Sequence, residues 1–314
     1  MTDMQIPRES IVWKGLEIPR FVLGTVQLGM TYGIANTTGQ PCQEKANDLV
    51  RSAWKSGVGF FDTAQAYGES ETALGLAVEK LGISGHISVI TKLTPKLDPL
   101  NEPGIRASLE ESLRKLRVPQ VWAVLLHQSS WLNAWNSGLG RLLIGLRSEG
   151  KIRWLGVSVY TVDEAIRALE HPDIDVVQIP CNAWDQRMVE YGVLERARNT
   201  GKICFVRSIF LQGLMNMSID RVASRLPEAS NAVSQWTRIV AELGITPREA
   251  AVRYALSLQS PLVIGAETAE QVADTADLLK KDAFDSGTVA MIREKMKSVL
   301  TDSVLNPASW TVRQ

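Results

Sequence analysis

The sequence predicts an α/β protein that folds as a closed (β/α)8 TIM barrel, and three observations lead to that class. Short, nearly continuous apolar runs alternate with helical stretches eight times along the 314 residues, as parallel strands covered by helices do. Eight such repeats are the number that closes a barrel, and barrels of this kind reach this length as one domain. No Gly-x-Gly-x-x-Gly segment follows the first strand, which weakens an open doubly wound sheet as the alternative.

A short β-hairpin at about residues 11–20 precedes the barrel, with Lys14-Gly15-Leu16-Glu17 between its two apolar arms. We expect this hairpin to plug or flank the start of the main fold. Eight apolar runs then predict the barrel strands, because each is short, buried in character and bounded by polar or helical segments. In chain order they are Phe21–Thr25, Phe60–Asp62, Ile87–Lys92, Val121–His127, Trp154–Ser158, Val176–Ile179, Cys204–Ser208 and Pro261–Gly265.

Helices are predicted between the strands from apolar residues that recur three and four positions apart. The first of these stripes consists of Ala46, Leu49, Val50, Ala53 and Trp54. Thr161-x-x-Glu164 is a capping box, which predicts that a helix begins directly after the fifth strand. The connection from Val26 to Pro41 is long for a passive loop, and we expect it to cover a site.

We predict a single domain over residues 1–314, since no linker composition divides the chain. Extra helices are expected after strand seven, one over about residues 231–243 and a second opening at Thr246-Pro247-Arg248-Glu249. A C-terminal helix at about residues 289–300 is predicted within a helix-and-tail segment of about 285–314.

Composition and charge exclude several classes of function. Lys+Arg and Asp+Glu both number 34, so a basic surface for nucleic acid is not expected. No apolar stretch is long enough to cross a bilayer, and the first residues lack the plan of a signal peptide. The three cysteines are isolated from one another, which predicts neither a disulfide framework nor a metal site. We therefore expect a cytoplasmic protein without a membrane partner.

Polar side chains end most of the predicted strands. Because the carboxyl ends of barrel strands meet at one face, and barrel enzymes keep their active sites there, this pattern predicts a catalytic site. An acid, a base and an imidazole are among the six residues, which are Asp62, Lys92, His127, Ser158, Gln178 and Ser208.

The second strand end continues as Phe61-Asp62-Thr63-Ala64-Gln65-Ala66-Tyr67-Gly68. Together with Lys92 in Ile-Thr-Lys and His127 in Leu-Leu-His, this motif resembles the catalytic tetrad of the aldo-keto reductases: Asp62, Tyr67, Lys92 and His127. The resemblance covers about residues 23–275. It implies an (α/β)8 barrel and nicotinamide-dependent reduction of a small aldehyde, ketone or sugar-like carbonyl compound.

The chemistry of these groups supports that expectation. Delivery of a hydride to a carbonyl leaves negative charge on oxygen, so a proton donor must stand beside it. A free tyrosine, with a pKa near 10, is too weak an acid and too rarely ionised to serve both directions at neutral pH. A nearby Lys92 ammonium would favour the phenolate of Tyr67, and Asp62 would pair with Lys92 and hold it in place. His127 would orient the carbonyl or share its proton.

The same resemblance implies a set of cofactor-binding residues. Ser158 and Gln178 would hold the nicotinamide carboxamide, and the segment after strand seven would follow the pyrophosphate. Two residues depart from the family pattern: Val159 stands where an Asn is common, and Arg207 where many relatives have an aromatic ring. The full set is Gly24, Thr25, Asp62, Ser158, Gln178, Arg207, Ser208, Leu211, Gly213, Gly265, Glu267, Gln271 and Thr275.

The cofactor is expected to be NAD(H) or NADP(H), and the sequence favours NAD(H). Gly265 and Gln271 are uncharged at positions where relatives that prefer NADPH carry basic side chains, and Glu267 between them would repel a 2′-phosphate. The opposing possibility is that Arg207, Arg248 or Lys280 reaches the phosphate.

The two departures from the family pattern, Val159 and Arg207, leave open a second hypothesis from another class, a nicotinamide-binding regulator on the same barrel with little or no turnover. Trp131, Trp135 and Trp310 are candidates for pocket lining, with ordinary packing as the alternative.

Overall fold

The computed structural model describes residues 10–312 of the chain. Ten β-strands lie within this range, and the first two form a separate antiparallel sheet. The strands are β1 (Ser10–Trp13), β2 (Leu16–Pro19), β3 (Phe21–Gly24), β4 (Phe60–Asp62), β5 (Ser88–Leu93), β6 (Val121–Leu126), β7 (Ile152–Ser158), β8 (Val176–Pro180), β9 (Ile203–Arg207) and β10 (Leu262–Gly265).

Helices cover the outside of the barrel, and additional helices follow strands β9 and β10. The α-helices are α1 (Val26–Gly29), α2 (Gln43–Lys55), α3 (Ser70–Leu81), α4 (Glu102–Leu116), α5 (Leu139–Ser148), α6 (Val162–Glu170), α7 (Arg187–Glu190), α8 (Val193–Asn199), α9 (Ile219–Arg225), α10 (Ser230–Glu242), α11 (Pro247–Ser257), α12 (Ala269–Leu278), α13 (Ser286–Lys297) and α14 (Asp302–Leu305). Short 3₁₀ segments lie at Ser84–His86, Ser129–Ser137, Leu211–Asn216, Pro227–Ala229 and Pro307–Ser309.

Strands β3 to β10 close into a barrel in chain order, with β10 paired to both β3 and β9. Every pair in the barrel is parallel. The predicted (β/α)8 barrel and its N-terminal hairpin are thereby confirmed. The predicted extra helices are present as α10, α11 and α13, although α13 begins at Ser286, three residues before the predicted start. Helix α9 was not predicted, because its seven residues bury only Val222 and so carry almost no apolar stripe.

The predicted strand ends are wrong at three functional positions. Thr25, His127 and Ser208 each lie one residue beyond the end of their strand, since β3 ends at Gly24, β6 at Leu126 and β9 at Arg207. The apolar runs predicted the strands, but a polar residue at the end of such a run belongs equally well to the following loop. The backbone of Ser208 has a φ of +64°, which a strand cannot accommodate.

The hairpin closes the amino-terminal end of the barrel. Lys14 and Gly15, with φ values of +49° and +74°, form the tight turn, and Ile11 pairs with Ile18. Trp13 and Ile18 are buried in one cluster with Val22 and other apolar residues of the barrel strands. The Trp13 ring lies 6.0 Å from that of Trp122 and 4.8 Å from that of Trp154. The carboxyl-terminal end of the barrel is therefore the one left to form a site.

No helix within residues 10–312 is long and apolar enough to cross a membrane.

Replacing Trp13 by alanine is expected to lower the free energy of unfolding by about 3–5 kcal/mol, because a buried indole leaves a cavity that its neighbours fill only partly. The indole Nε1 also donates to the carbonyl of Gly201 at 2.9 Å. Val12→Ala on the same strand is the control, since Val12 is 72% exposed, and it should change the unfolding free energy by less than about 0.5 kcal/mol. Urea unfolding of both variants measures the difference. Equal unfolding free energies for the two variants would contradict the role of Trp13 in closing this end of the barrel.

Candidate active site

A buried ion pair joins the ends of β4 and β5. The register sets Asp62 beside Ile90, so Lys92 lies two residues further along β5. The Lys92 Nζ donates to both carboxylate oxygens of Asp62, at 2.9 and 2.7 Å, and to the Thr63 carbonyl at 2.9 Å. The two side chains are 1% and 5% exposed, so water does not screen their attraction.

Asp62 also receives a third hydrogen bond, from Gln178 Nε2 to its Oδ1 at 2.7 Å. Burial by itself would lower the pKa of Lys92, but the charges and hydrogen bonds of Asp62 and Tyr67 outweigh it and the pKa is raised. Lys92 is therefore an ammonium at neutral pH, which a lone buried lysine would not necessarily be.

Tyr67 brings a phenol to this ammonium. Its Oη lies 3.3 Å from Lys92 Nζ, in a turn that helix α1 holds from behind. A Cβ at Gly29 of α1 would lie 1.8 Å from the Tyr67 carbonyl oxygen, and one at Gly68 would lie 2.3 Å from the Gly29 carbonyl oxygen. Gly68 also has a φ of +55°, which favours glycine. Two interlocked glycines thus allow the backbone approach that positions Tyr67.

Hydrogen bonds between hydroxyl groups connect the turn that carries Tyr67 to the ends of β3 and β4. The Ser70 Oγ lies 2.8 Å from Thr25 Oγ1 and 2.9 Å from Thr63 Oγ1. Thr25 Oγ1 in turn donates to the Asp62 carbonyl at 3.0 Å. Thr25 is 1% exposed, and these bonds engage its hydroxyl within the protein.

His127 stands at the edge of the Tyr67 ring, with the ring centroids 5.8 Å apart and the planes at 86°. Burial lowers the pKa of His127 to about 4, and the positive charges of Lys92 and Arg207 act in the same direction. The imidazole is therefore neutral near pH 7 and donates from one nitrogen only. Its buried Nδ1 has no hydrogen-bond partner among residues 10–312.

A cavity of about 840 Å³ opens above these groups at the carboxyl-terminal end of the barrel. Tyr67 and His127 line its catalytic end, beside Tyr32, Tyr160 and Arg207. A second group of lining residues lies around the start of α12 and comprises Phe210, Arg248, Glu267 and Gln271.

Most of the predicted cofactor residues line this cavity, as the resemblance implies. They are Gly24, Thr25, Asp62, Ser158, Arg207, Ser208, Leu211, Gly213, Gly265, Glu267 and Gln271. Gln178 and Thr275 lie behind its wall, both fully buried. The Thr275 hydroxyl donates to the Gln271 carbonyl at 2.7 Å and accepts from Arg248 Nη2 at 2.5 Å, so it supports the wall and Arg248.

The residues present fit a nicotinamide dinucleotide. Gln178 Oε1 is a buried acceptor with no hydrogen-bond partner within the described range, and Gln178 pairs in register with Ser158, which faces the cavity. An acceptor and a hydroxyl side by side match the donor and acceptor of a carboxamide. The segment that follows β9 also has an unusual backbone conformation, with positive φ at Ser208, Leu211, Gln212 and Gly213. Such strain persists where surrounding contacts impose it, and it clusters at ligand sites.

The two departures from the family pattern are in direct contact. Arg207 Nη2 donates to the Val159 carbonyl at 3.0 Å, and Nη1 donates to Ser208 Oγ at 3.2 Å. The Arg207 guanidinium lies 4.4 Å from the centroid of the Tyr160 ring. Since Val159 is fully buried, its side chain packs inward and its carbonyl is the group that Arg207 satisfies.

Several residues of the cavity were missed by sequence reasoning. Tyr32 lies in the long connection after β3, for which a covering role was expected, but no motif marks the residue itself. Burial raises the pKa of Tyr32 to about 12, with Tyr67 adding to the shift. Tyr160 and Asn182 lie shortly after strands β7 and β8. The sequence had predicted a functional residue on each of these strands, Ser158 and Gln178, but neither Tyr160 nor Asn182. The C-terminal tail borders the cavity as the resemblance implies, but through residues other than Trp310: Asp302, Leu305, Asn306, Pro307 and Ala308.

The three candidate tryptophans pack elsewhere. Trp131 and Trp135 are buried in the layer between strands and helices, and Trp135 Nε1 donates to Asp173 at 3.0 Å. The Trp310 Nε1 donates to the Val304 carbonyl at 3.2 Å. Ordinary packing is thus the role that the structure gives them. Within residues 10–312 no group of His, Cys, Asp and Glu has the arrangement of a metal site.

The chain belongs to the aldo/keto reductase family, whose family model matches residues 20–297. This assignment confirms the family that the sequence motif suggests. It also supports the predicted enzyme class.

Individual relatives are distant. The chain is 26% identical over 210 residues to a probable aldo-keto reductase of Glycine max, an alignment that covers 64% of this chain and 58% of that protein's length. It is 24% identical over 312 residues to the NADH-specific methylglyoxal reductase of Escherichia coli, covering 88% and 94% of the two chains. The solved glycerol dehydrogenase of Gluconobacter oxydans superposes with a TM-score of 0.71 at 22% identity, over 95% of this chain and 97% of that one. The last comparison supports the fold.

The low pKa of His127 predicts an acid-dependent loss of stability. An unfolded histidine binds a proton with a pKa near 6.5, whereas folded His127 does so only at about 4. The unfolded state therefore binds more protons between these values, and stability falls as the pH is lowered through this window. The loss assignable to His127 is about 2 kcal/mol by pH 5.

Urea unfolding of the wild type and of His127→Gln at pH 7.5 and pH 5 measures this contribution. The stability difference between the two proteins should shift by about 2 kcal/mol in favour of the variant at pH 5. His86→Gln is the control, because His86 is exposed. A difference that does not change with pH would contradict the neutral, desolvated imidazole.

Proposed function

We propose that the protein is an NAD(P)(H)-dependent oxidoreductase that reduces a small aldehyde, ketone or sugar-like carbonyl compound, with Tyr67 as proton donor. The observation that supports this most strongly is the distance of 3.3 Å between Tyr67 Oη and the Lys92 ammonium. The phenol borders the cavity, while the ammonium is buried and neutralised by Asp62. A proton donor thus faces the substrate space, and its supporting charge does not.

The chemistry follows from these positions. When bound, the nicotinamide supplies the hydride. As charge grows on the carbonyl oxygen, Tyr67 Oη gives its proton to that oxygen. The Lys92 ammonium stabilises the phenolate that remains. Asp62 keeps Lys92 in place and charged, so the preorganised field costs no rearrangement during the reaction.

His127 orients the carbonyl in this mechanism. A group whose pKa is about 4 holds no labile extra proton at neutral pH, so it is poorly suited as the acid. A neutral imidazole still donates one hydrogen bond, and its edge position beside Tyr67 directs it at the same oxygen. Of the two roles that the sequence left open, orientation is the one that this electrostatic setting favours.

The cofactor is proposed to lie along the cavity. Ser158 and Gln178 would hold the carboxamide near the catalytic end. The backbone around Ser208, Leu211 and Gly213 would follow the pyrophosphate, because successive amides in such turns form anion-binding concavities. Gly24 and Thr25 would border this path, and Gly265, Glu267 and Gln271 would meet the adenosine ribose, with Thr275 acting through Arg248.

NAD(H) is the proposed form of the cofactor. Glu267 is a half-buried carboxyl in the cavity lining near the start of α12, and burial raises its pKa while Arg221 opposes the shift. Arg248 is the nearby cation that could favour NADP(H), and its buried Nε has no partner within the described residues. Its Nη2, however, is bonded to the Gln271 carbonyl at 3.2 Å and to Thr275, and it stacks on Phe210. Lys280 pairs with Asp277 at 2.6 Å on the surface.

Tyr67→Phe is expected to lower the rate of carbonyl reduction by at least about 10²-fold, the usual contribution of a general acid. The affinity for the reduced cofactor should stay within about threefold, because the ring still packs. The rate is followed at the nicotinamide absorbance with a panel of aldehydes, and affinity by tryptophan fluorescence. Tyr191→Phe, on an exposed residue, controls for loss of a phenol elsewhere. Reduction at near wild-type rate would rule out Tyr67 as the acid.

The regulator hypothesis makes the opposite prediction for the wild type. Such a protein would bind the reduced cofactor tightly and leave every aldehyde and ketone of the panel unreduced. Turnover that depends on Tyr67 supports the enzyme. Binding without turnover supports the regulator.

Glu267→Arg is expected to shift cofactor preference toward NADPH by about tenfold or more, because a guanidinium replaces a carboxylate beside the ribose 2′ position. Fluorescence titration of both proteins with NADH and NADPH measures the ratio of dissociation constants. Glu270→Arg is the matched control, since Glu270 lies in the first turn of α12 and is exposed. A wild-type protein that already binds NADPH tenfold more tightly would overturn the choice of NAD(H).

A further inference from the structure

Arg207 is a cation in the lining of the cavity, and none of the ion pairs found among residues 10–312 includes it. Arg187, another guanidinium in the lining, is paired with carboxylates. Arg187 bonds both oxygens of Asp185, each at 2.8 Å, and lies 3.9 Å from Asp302. Asp62 is likewise neutralised by Lys92. Within the described residues, Arg207 is therefore an uncompensated charge in this lining.

The hydrogen bonds of Arg207 hold it in place without neutralising it. Its acceptors are the Val159 carbonyl and the Ser208 hydroxyl, which carry no charge. They occupy two of the five N–H donors of a guanidinium. Tyr160 lies against the guanidinium plane at 4.4 Å and limits its movement. These contacts leave three donors and the full positive charge of Arg207 unused.

This charge acts where the reaction occurs. It contributes to the low pKa of His127, and it opposes the rise in the pKa of Tyr32. Both effects require Arg207 to lie within electrostatic reach of the space between these side chains and Tyr67. A substrate whose carbonyl lies at Tyr67 would place its neighbouring atoms in that same space.

A charged group that is only half exposed costs free energy unless an opposite charge joins it. Among residues 10–312 no carboxylate pairs with Arg207, so this part of the cavity is electrostatically complementary to an anion. A carboxylate is the anion that the planar fork of a guanidinium matches best in a small organic molecule, because two parallel hydrogen bonds form at once.

We propose that Arg207 selects carbonyl substrates that carry a carboxylate, such as oxo acids and acidic sugars, and binds that carboxylate while the carbonyl lies at Tyr67. The proposal deepens the function proposed above and depends on it for the reaction, although not for the binding. Arg207 is a substrate-selecting residue in this scheme, and Tyr67 remains the acid.

The test compares substrates that differ mainly in the acidic group: succinic semialdehyde against butanal, glucuronate against glucose, and 4-carboxybenzaldehyde against benzaldehyde. The wild type is expected to favour at least one acidic member by about 10–100-fold in kcat/KM, the usual range for a charge-assisted hydrogen bond. Arg207→Gln should reduce that ratio to near one, mainly through KM. Arg207→Lys keeps the charge and should retain part of the preference.

Two measurements separate this proposal from its competitors. The dissociation constant of NADH should change less than about threefold in Arg207→Gln. A loss of tenfold or more, with the substrate ratio unchanged, would assign Arg207 to the cofactor and overturn the proposal. Circular dichroism and thermal unfolding confirm that the variants fold. A preference for acidic substrates that survives in Arg207→Gln would overturn it as well.

A binding experiment remains decisive if no carbonyl compound is reduced. Benzoate and benzamide are titrated into the NAD⁺-saturated protein, and binding is followed by tryptophan fluorescence. Benzoate that binds at least tenfold more tightly in the wild type, and equally with benzamide in Arg207→Gln, supports the carboxylate site even where the reductase function fails. Equal binding of the two compounds by the wild type would overturn the site.

Discussion

The buried ion pair of Asp62 and Lys92 is the interaction on which the rest of the site depends. An ammonium that is 1% exposed would lose its proton or leave the interior if no carboxylate stood beside it. Breaking such a pair on one side typically costs about 3–5 kcal/mol, yet the intact pair adds little net stability over apolar residues of similar size. Its presence is therefore better explained by what it does for Tyr67 than by what it does for the fold. The hydrogen bond from Gln178 and the turn held by Gly29 both serve to keep this pair and the phenol in one geometry.

The two ends of the barrel have different roles: one is closed by apolar packing and the other carries the polar groups of the site. At the amino-terminal end Trp13, Trp122 and Trp154 form an aromatic plug, which excludes water and needs no polar group inside. The ion pair lies at the other end, where β4, β5 and β8 carry Asp62, Lys92 and Gln178. Because successive strands are staggered, Lys92 lies two residues past the partner of Asp62, and its long side chain bridges that offset. A shorter base on β5 would not reach the carboxylate.

Sequence reasoning was most successful where a local pattern determines the structure. Apolar runs and capping boxes depend on neighbouring residues, so strands β3 to β10 and Thr161, the N-cap of α6, could be located. Sequence reasoning was less successful where the contacts of a side chain depend on residues that are distant in the chain. The amide of Gln271 accepts from the Glu267 backbone at 2.9 Å and so is partly occupied, and the buried position of Thr275 depends on Arg248 of another helix. Tyr32 and Tyr160 reach the cavity because loops fold over it, and no spacing in the chain encodes that path.

The contact between Arg207 and Val159 joins two features that the sequence presents as separate departures. Taken alone, each would weaken the cofactor site, since one removes a side-chain amide and the other an aromatic ring. In the structure the guanidinium satisfies the Val159 carbonyl at 3.0 Å, so the two residues form one unit. A substitution of Arg207 by an aromatic residue would leave that carbonyl without this donor and would remove the positive charge near His127. Because the acceptor is a backbone carbonyl, which any residue at position 159 would provide, the contact depends on the side chain of Arg207 and not on that of Val159.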